Sequence, residues 1–180
     1  YGGLGRNYLK EKRYDLAEKN LTKAIQLNDL YYVALQLRAQ TYFEQKKYKE
    51  AINSGYKSLE ITKKLGAETQ TSLALSGIAD MEMKLGNYNE AEKVFQEMLS
   101  MKSTSSSTMS LAATYHGLGE ISFNKGDLKN AEDYQEKAFE LSKKTTNKTL
   151  QKDIAEMLYK INLANKNYEK ALHYFEFDKK

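Results

Sequence analysis

The sequence predicts an all-α protein built from repeated helical hairpins. Its 180 residues include no proline, and a chain of this length without proline favours uninterrupted helices over loop-rich β folds, which use proline in their turns. Lys, Glu, Leu and Ala, which are good helix formers, are abundant. A similar pattern of residues also recurs five times along the chain, and such repetition is typical of solenoids.

An alanine marks each repeat. An aromatic residue or a leucine stands three positions before this alanine, and a polar turn comes just before that residue. The alanines are separated by 34 residues once and by 40 residues three times. They are Ala17, Ala51, Ala91, Ala131 and Ala171. Because each turn lies between two stretches with helical periodicity, each repeat is predicted to be a hairpin of a helix A and a helix B.

Small residues explain how the two helices of a hairpin approach each other. The five alanines are the expected small contacts on helix B, and Ala51, Ala91 and Ala131 are expected to be nearly fully buried against helix A. Their predicted counterparts on helix A are Gly5, Ala39, Ala79 and Gly119. The fifth repeat has Tyr159 at this position, so looser or shifted packing is expected there. Since one hairpin cannot bury its apolar stripe alone, the hairpins are expected to stack.

The residues of this pattern resemble the tetratricopeptide repeat. The first repeat has Tyr1–Tyr8 followed by Tyr14, Ala17, Leu21 and Ala24, which resembles the family's order of aromatic, Leu-Gly, Tyr, Ala, bulky and Ala. The fourth repeat follows the same order with Tyr115, Leu118, Gly119, Phe123, Leu128, Ala131 and Ala138. The resemblance implies a right-handed α-solenoid, a superhelix of antiparallel helix pairs with about four and a half repeats.

The predicted repeats span about 1–31, 32–71, 72–111, 112–151 and 152–180 and form one solenoid domain. Their spacing is longer than the usual 34 residues of the family. The extra residues imply either helices longer by about a turn or longer connections between helix B and the next helix A. Ser103–Thr108 is expected to be the least helical and most mobile of these connections. Because neither end shows the polar capping element of a complete solenoid, the chain is expected to be a piece of a longer protein.

Signatures of catalysis and of cofactor binding are missing from the sequence. There is no cysteine, which excludes disulfides, thiolate nucleophiles and Cys-ligated zinc. Phosphate-binding glycine loops, nucleophile elbows and His-Glu-x-x-His zinc motifs are also absent. The two histidines, His116 and His173, lie in different repeats and are not expected to share a metal. We therefore expect no enzymatic activity, no cofactor and no metal site.

Charge and hydropathy restrict the class of partner. The net charge is +4, and charges of both signs alternate along the chain, so no nucleic-acid partner is expected for this domain. No apolar run approaches the ~20 residues of a membrane span, so no membrane insertion is expected for this segment. The aromatic residues fall mostly at packing positions of the repeat, which favours a core role over a stacking platform for bases. The compartment stays open between cytoplasm and periplasm.

The resemblance implies that the A helices line a concave groove that holds a protein or a peptide. The residues expected to face that groove are Arg6, Lys10, Gln36, Gln40, Phe43, Asp80, Lys84, His116, Glu120, Asn124, Glu156 and Lys160. They combine both charges, amides and apolar groups, which suits an extended peptide or a partner helix. His116 has two interpretations: a pH-sensitive hydrogen-bonding residue of the groove, or a half-exposed polar residue on a hydrated helix face.

The predicted function is a protein- or peptide-binding scaffold, or the sensory module of a bacterial regulatory protein. The lengthened repeats are similar to those of Rap-type regulators and of sensor regions in Bacteroidetes regulators. The alternative is a self-association domain that forms a homodimer without a groove ligand. Three apolar residues on helix B of the fifth repeat, Leu172, Phe175 and Phe177, form a possible end-to-end contact, because an uncovered apolar end tends to find a partner.

Overall fold

The computed structural model describes residues 1–178, and this part of the chain is helical without any strand. The helices are α1 (Gly2–Lys10), α2 (Tyr14–Leu27), α3 (Tyr32–Glu44), α4 (Tyr48–Lys64), α5 (Glu68–Leu85), α6 (Tyr88–Ser100), α7 (Lys102–Ser105), α8 (Thr108–Asn124), α9 (Leu128–Ser142), α10 (Lys148–Ala164) and α11 (Tyr168–Asp178). The all-α prediction is therefore confirmed. The chain divides into two compact units, unit 1 from Tyr1 to Val94 and unit 2 from Phe95 onwards.

The predicted hairpins correspond to consecutive helices joined by short turns. In unit 1, α1 packs against α2 and α3 packs against α4. In unit 2, α8 packs against α9 and α10 packs against α11. A two-residue turn, Gly86–Asn87, connects α5 with α6. The odd-numbered helices α1, α3 and α5 and the helices α8 and α10 are thus the A helices.

Longer helices absorb the extra residues of the 40-residue spacing. Helix α3 has 13 residues, whereas α5 has 18 and both α8 and α10 have 17. These three helices begin at Glu68, Thr108 and Lys148, ahead of the expected repeat starts at 72, 112 and 152. Of the two alternatives that the sequence left open, longer helices account for most of the difference.

The serine-rich segment Ser103–Thr108 is more helical than its composition predicts. Its first half belongs to the one-turn helix α7, in which Thr104 is fully buried. Ser107 then caps α8, because its Oγ accepts a hydrogen bond from the Ser110 backbone N–H at 3.2 Å. Serine is a preferred N-cap residue, so the composition that indicated a loop serves here to start a helix.

The marker alanines are all buried, which confirms the prediction made for Ala51, Ala91 and Ala131. Ala17, Ala51, Ala91 and Ala131 are 0% exposed and Ala171 is 2% exposed. Close approach of the two helices in a hairpin explains this burial, because a larger side chain would separate them.

The glycines on helix A accept a large side chain from helix B. A Cβ atom at Gly5 would lie 2.5 Å from Cγ of Leu21, and one at Gly119 would lie 2.6 Å from Nε2 of Gln135. In the fifth hairpin both positions hold rings: Tyr159 and Phe175 have ring centroids 5.6 Å apart. Phe175 is 39% exposed, whereas Leu21 and Gln135 are fully buried. Lacking a small residue on helix A, this hairpin does not bury its second ring.

A residue in the left-handed conformation follows each of the five A helices. It is glycine after α5 and α8, at Gly86 and Gly126, but lysine after α1, α3 and α10, at Lys12, Lys46 and Lys166, where φ is 58–59°. The next N–H in the chain closes each turn by donating to a carbonyl five residues back, as Lys47 does to Tyr42 at 2.8 Å. This geometry satisfies the terminal carbonyls of the helix.

Candidate functional site

Two hollows lie between the A helices of unit 1. The α1–α3 hollow has a volume of about 570 Å³ and the α3–α5 hollow has a volume of about 390 Å³. The α1–α3 hollow is lined by Arg6, Leu9, Lys10, Lys12, Tyr14, Val33, Gln36, Leu37, Gln40 and Glu44. The α3–α5 hollow is lined by Gln36, Ala39, Gln40, Phe43, Glu44, Gly55, Leu73, Ala74, Gly77, Asp80 and Met81. Both volumes fall within the range of about 300–1,000 Å³ that is typical of ligand pockets.

Three polar residues of α3 line both hollows. Gln36, Gln40 and Glu44 are spaced four residues apart, so they lie on one face of the helix. The two hollows therefore adjoin each other across this face. We refer to the two hollows together as the unit 1 groove.

Six of the predicted groove residues line this groove. They are Arg6, Lys10, Gln36, Gln40, Phe43 and Asp80. Lys84, which is exposed in the last turn of α5, lines neither hollow. The spacing of the repeat was enough to identify this face of the A helices from the sequence, because residues one helical turn apart lie on the same face of a helix.

Small residues create the α3–α5 hollow, and the sequence analysis did not select them. Ala39, Ala74 and the two glycines Gly55 and Gly77 lie in its wall. A Cβ at Gly55 would lie 2.9 Å from Cγ1 of Ile78, whereas one at Gly77 would meet nothing closer than Cε of Met81 at 3.7 Å. Glycine inside a helix costs about 1 kcal/mol relative to alanine, so glycines at 55 and 77, away from any turn, were the available signal.

Exposed apolar side chains border the same hollow. Leu73 is 63% exposed, and Phe43 is half-buried with its ring 5.5 Å from that of Tyr48. Large exposed apolar groups beside a concave surface are typical of binding sites. Leu73 was also not selected from the sequence, because its pattern there is indistinguishable from that of a core leucine.

The two hollows differ in charge. Arg6, Lys10 and Lys12 surround the α1–α3 hollow together with a single carboxylate, that of Glu44. The lining of the α3–α5 hollow contains the carboxylates of Glu44 and Asp80 and no basic residue. The basic residues of the lining are therefore confined to the α1 side of the groove.

His116 in unit 2 is fixed by a buried glutamine. Its Nδ1 lies 3.0 Å from Oε1 of Gln135, and Nε2 of Gln135 donates to the His116 carbonyl at 3.0 Å. Because an amide oxygen only accepts, Nδ1 carries the proton. Nε2 of His116 lies 3.8 Å from Glu120. The histidine thus joins α8 to α9, a role that neither interpretation of the sequence included.

The other predicted groove residues of unit 2 bond within their own helices. Asn124 donates to the Glu120 carbonyl at 2.8 Å. Lys160 pairs with Glu156 at 2.6 Å, and its hydrogen bond lowers the pKa of the Glu156 carboxyl. Such pairs four residues apart are common on solvated helix faces.

The end face of α11 carries an exposed apolar stripe. Tyr168, Leu172 and Phe175 are 66%, 57% and 39% exposed, and their spacing places them on one side of the helix. Phe177 lies on another side, where its ring packs 4.8 Å from that of Phe139. Of the three residues predicted for an end-to-end contact, Leu172 and Phe175 are exposed and Phe177 is half-buried.

Residues 1–178 contain neither a metal-binding cluster nor a membrane-spanning helix. Over this range, no group of three or more His, Asp or Glu side chains could hold a metal ion. None of the helices described is both long enough and apolar enough to cross a membrane.

Several solved structures share the fold. BtubC (BKLC) from P. vanneervenii superposes with a TM-score of 0.85 at 18% identity, covering 98% of this chain and 76% of BtubC. The apo form of RapI gives a TM-score of 0.86 at 17% identity, covering 97% of this chain but only 50% of RapI. MamA from Desulfovibrio magneticus RS-1 gives 0.79 at 14% identity, covering 98% of this chain and 89% of MamA. At these identities the likeness shows the fold alone.

Family models identify the repeats. No curated protein sequence matches the chain significantly. One tetratricopeptide repeat model matches residues 30–104, and a second matches residues 1–29 and 112–145. Together they cover well over half of the sequence. The fold is thus an α-solenoid of antiparallel helix pairs, and the chain belongs to the tetratricopeptide repeat family.

Proposed function

We propose that the chain is a binding scaffold that holds a peptide segment of a partner protein in the unit 1 groove and catalyses no reaction. Tetratricopeptide repeats generally build protein-interaction scaffolds, and solenoids present extended concave surfaces for this purpose. The observation that carries the proposal is the pair of adjoining hollows between α1, α3 and α5. Together they bring apolar surface, glutamine amides and charged side chains to one place.

A regulatory context is the finer part of the proposal. RapI is among the proteins with this fold, and Rap-type regulators carry lengthened repeats similar to these. We therefore place the chain in the sensory or scaffolding part of a bacterial regulatory protein. In unit 2, the exposed or half-exposed side chains of His116, Glu120, Asn124, Glu156 and Lys160, and in unit 1 that of Lys84, are proposed as secondary contacts of the partner.

The chain itself suggests how to close the α3–α5 hollow. Forty residues after Gly55, the next repeat has Phe95, whose ring occupies the space where Gly117 would otherwise carry a Cβ. Gly117 is the counterpart of Gly77, and Leu118 is the counterpart of Ile78. The double substitution Gly55→Phe with Ile78→Leu therefore copies a packing that this protein already uses.

The experiment selects short linear peptides from a random display library on the immobilised chain and measures their binding to the closed-hollow variant. Peptides held in the groove should lose most of their affinity for Gly55→Phe/Ile78→Leu, provided that circular dichroism shows an unchanged helical content. Gly3→Ala is the matched control, since Gly3 lines neither hollow and its methyl group would meet nothing within 4 Å. Selected peptides that bind the closed variant as well as the parent would refute the groove as the site.

Self-association is the second candidate, favoured by the exposed stripe of Tyr168, Leu172 and Phe175 on α11. If this stripe joins two copies, light scattering over a dilution series should show a concentration-dependent mass. Leu172→Glu with Phe175→Glu should abolish that dependence. Leu27→Glu, which changes a comparably exposed leucine of unit 1, should not. A monomeric mass for the parent at high concentration would eliminate this candidate.

A further inference from the structure

In the unit 1 groove, the basic side chains and the apolar surface lie in different hollows. This arrangement indicates which chemical groups a ligand must carry. On the α1 side, Arg6 and Lys10 are exposed, and Lys12 lies at the turn that follows. None of these three cations forms an ion pair with another residue of the described part of the chain. Other basic residues of unit 1 do so, for example Lys47 with Glu18 and Lys64 with Glu60.

The α3–α5 hollow provides the apolar depth. Gly77 and Ala74 have little or no side chain and so leave space in the hollow. Leu73, Phe43 and Met81 supply apolar surface around that space. An apolar side chain placed there would bury Leu73, which is 63% exposed without a ligand. This lining contains no basic residue that could pair with an acidic side chain at the same place.

The face of α3 that carries Gln36 and Gln40 lies between the two hollows and suits an extended peptide backbone. Gln40 carries an amide that can both donate and accept hydrogen bonds. Gln36 donates from Nε2 to the Gln70 carbonyl at 3.5 Å and offers its amide oxygen as an acceptor. Neighbouring packed helices lie about 8–10 Å apart, and an extended chain advances about 3.3 Å per residue. A peptide that crosses from one hollow to the next therefore needs about three residues to do so.

We propose that the unit 1 groove selects an extended peptide that carries Asp or Glu over the α1–α3 hollow and an apolar residue, about three positions away, in the α3–α5 hollow. This inference rests on the proposed function and adds the chemistry of the ligand. The cations fix the acidic side, and the α3–α5 hollow has no basic residue in its lining to pair with an acid at the apolar position. The positions of the two hollows define the spacing between the acidic and the apolar residue of the peptide. A peptide bound in either chain direction can satisfy this spacing.

The test is the residue composition of the display selection on the intact chain. Enrichment of an apolar residue with an acid about three positions away is the expected result. Groove-dependent peptides with no acidic preference, or with a basic one, would overturn this inference and leave the proposed function standing. Selected peptides that ignore the Gly55→Phe/Ile78→Leu variant would overturn both.

Charge removal gives an independent measurement with a synthetic peptide of the enriched pattern. Arg6→Gln with Lys10→Gln should weaken its binding roughly tenfold at low salt, since each exposed ion pair contributes modestly. A partner peptide with Asn in place of Asp should bind the parent and this variant equally. Lys19→Gln with Lys23→Gln removes two exposed charges from α2, outside the groove, and should change nothing. Equal losses for both double variants would overturn the assignment of the acidic side.

Discussion

Two glycine-to-alanine substitutions in A helices should change stability in opposite directions. Gly119 in α8 and Gly77 in α5 both lie inside helices, where alanine is favoured over glycine by about 1 kcal/mol. The surroundings of the added methyl group differ. At Gly119 it would lie 2.6–2.8 Å from three atoms of Gln135, and at Gly77 it would lie 3.7 Å from the flexible end of Met81.

The magnitudes follow from what Gln135 can do. Its side chain is fully buried and makes two hydrogen bonds of 3.0 Å to His116, so it cannot move aside without losing them. Overpacking a buried site costs about 1–3 kcal/mol, and each hydrogen bond lost adds about 1 kcal/mol. After subtraction of the helix preference, Gly119→Ala should lower the free energy of unfolding by about 1–3 kcal/mol. Gly77→Ala should raise it by about 0.5–1 kcal/mol.

Urea denaturation followed by circular dichroism measures both changes on the same chain. Gly119→Ala should lower the midpoint and Gly77→Ala should raise it, with similar slopes. A third variant, Gly119→Ala with Gln135→Ala, should recover part of the loss, because it removes the side chain that the methyl group meets. The packing argument fails if Gly119→Ala is as stable as Gly77→Ala.

Three further predictions concern the repeat and its turns. Lys46→Gly and Lys166→Gly should each raise the free energy of unfolding by about 0.5–1 kcal/mol, because both lysines have φ of 59° and glycine removes that strain; Gly126→Lys should do the reverse in the same urea assay. Ala91→Leu should cost about 1–3 kcal/mol by overpacking a fully buried position, and a parent-like melting curve would contradict the packing of helix B. Asp127 caps α9, and the hydrogen bond from the Asn130 N–H lowers the pKa of its carboxyl. The stabilising effect of this carboxylate is therefore present above the pKa that Asp127 has in the unfolded chain, and it is lost as the pH falls through the lower pKa of the folded state. Asp127→Ala should accordingly reduce the melting temperature at neutral pH and cease to do so in acid.

The fold was predictable because its determinants repeat. The marker alanines and the polar turns occur at regular positions, and one packing rule accounts for each of them. Helix lengths were not fixed in this way, since the added residues suit either a longer helix or a longer loop until the register of the next helix is known. The serine-rich segment was misjudged for a related reason: serine disfavours a helix interior but favours a helix start.

The sequence predicted which helix face carries the candidate site, but it did not predict the hollows in that face. Helical spacing identified the face that carries Gln36 and Gln40, because side chains four residues apart on a helix share a face. It did not identify Leu73, Gly55 or Gly77, whose importance depends on residues from other helices. It also did not predict that His116 joins α8 to α9, since its partner Gln135 lies 19 residues away on the next helix. Contacts of this kind follow from tertiary packing and have no periodic signature.

One position of the repeat shows how the same fold acquires different local chemistry. It lies four residues after the marker alanine and is occupied by Leu21, Gly55, Phe95, Gln135 and Phe175. Leucine and glutamine fill the space above a glycine of helix A, the first as core and the second as a polar link to His116. Glycine leaves the α3–α5 hollow open, and phenylalanine opposite Tyr159 remains partly exposed. Because the marker alanine sets the distance between the helices, the residue at this position decides whether a hairpin presents a sealed core, a ligand-sized hollow or an exposed ring. The α3–α5 hollow therefore depends on glycine at position 55, which is why copying the Phe95 packing into that position is the most direct way to separate the scaffold from its proposed binding function.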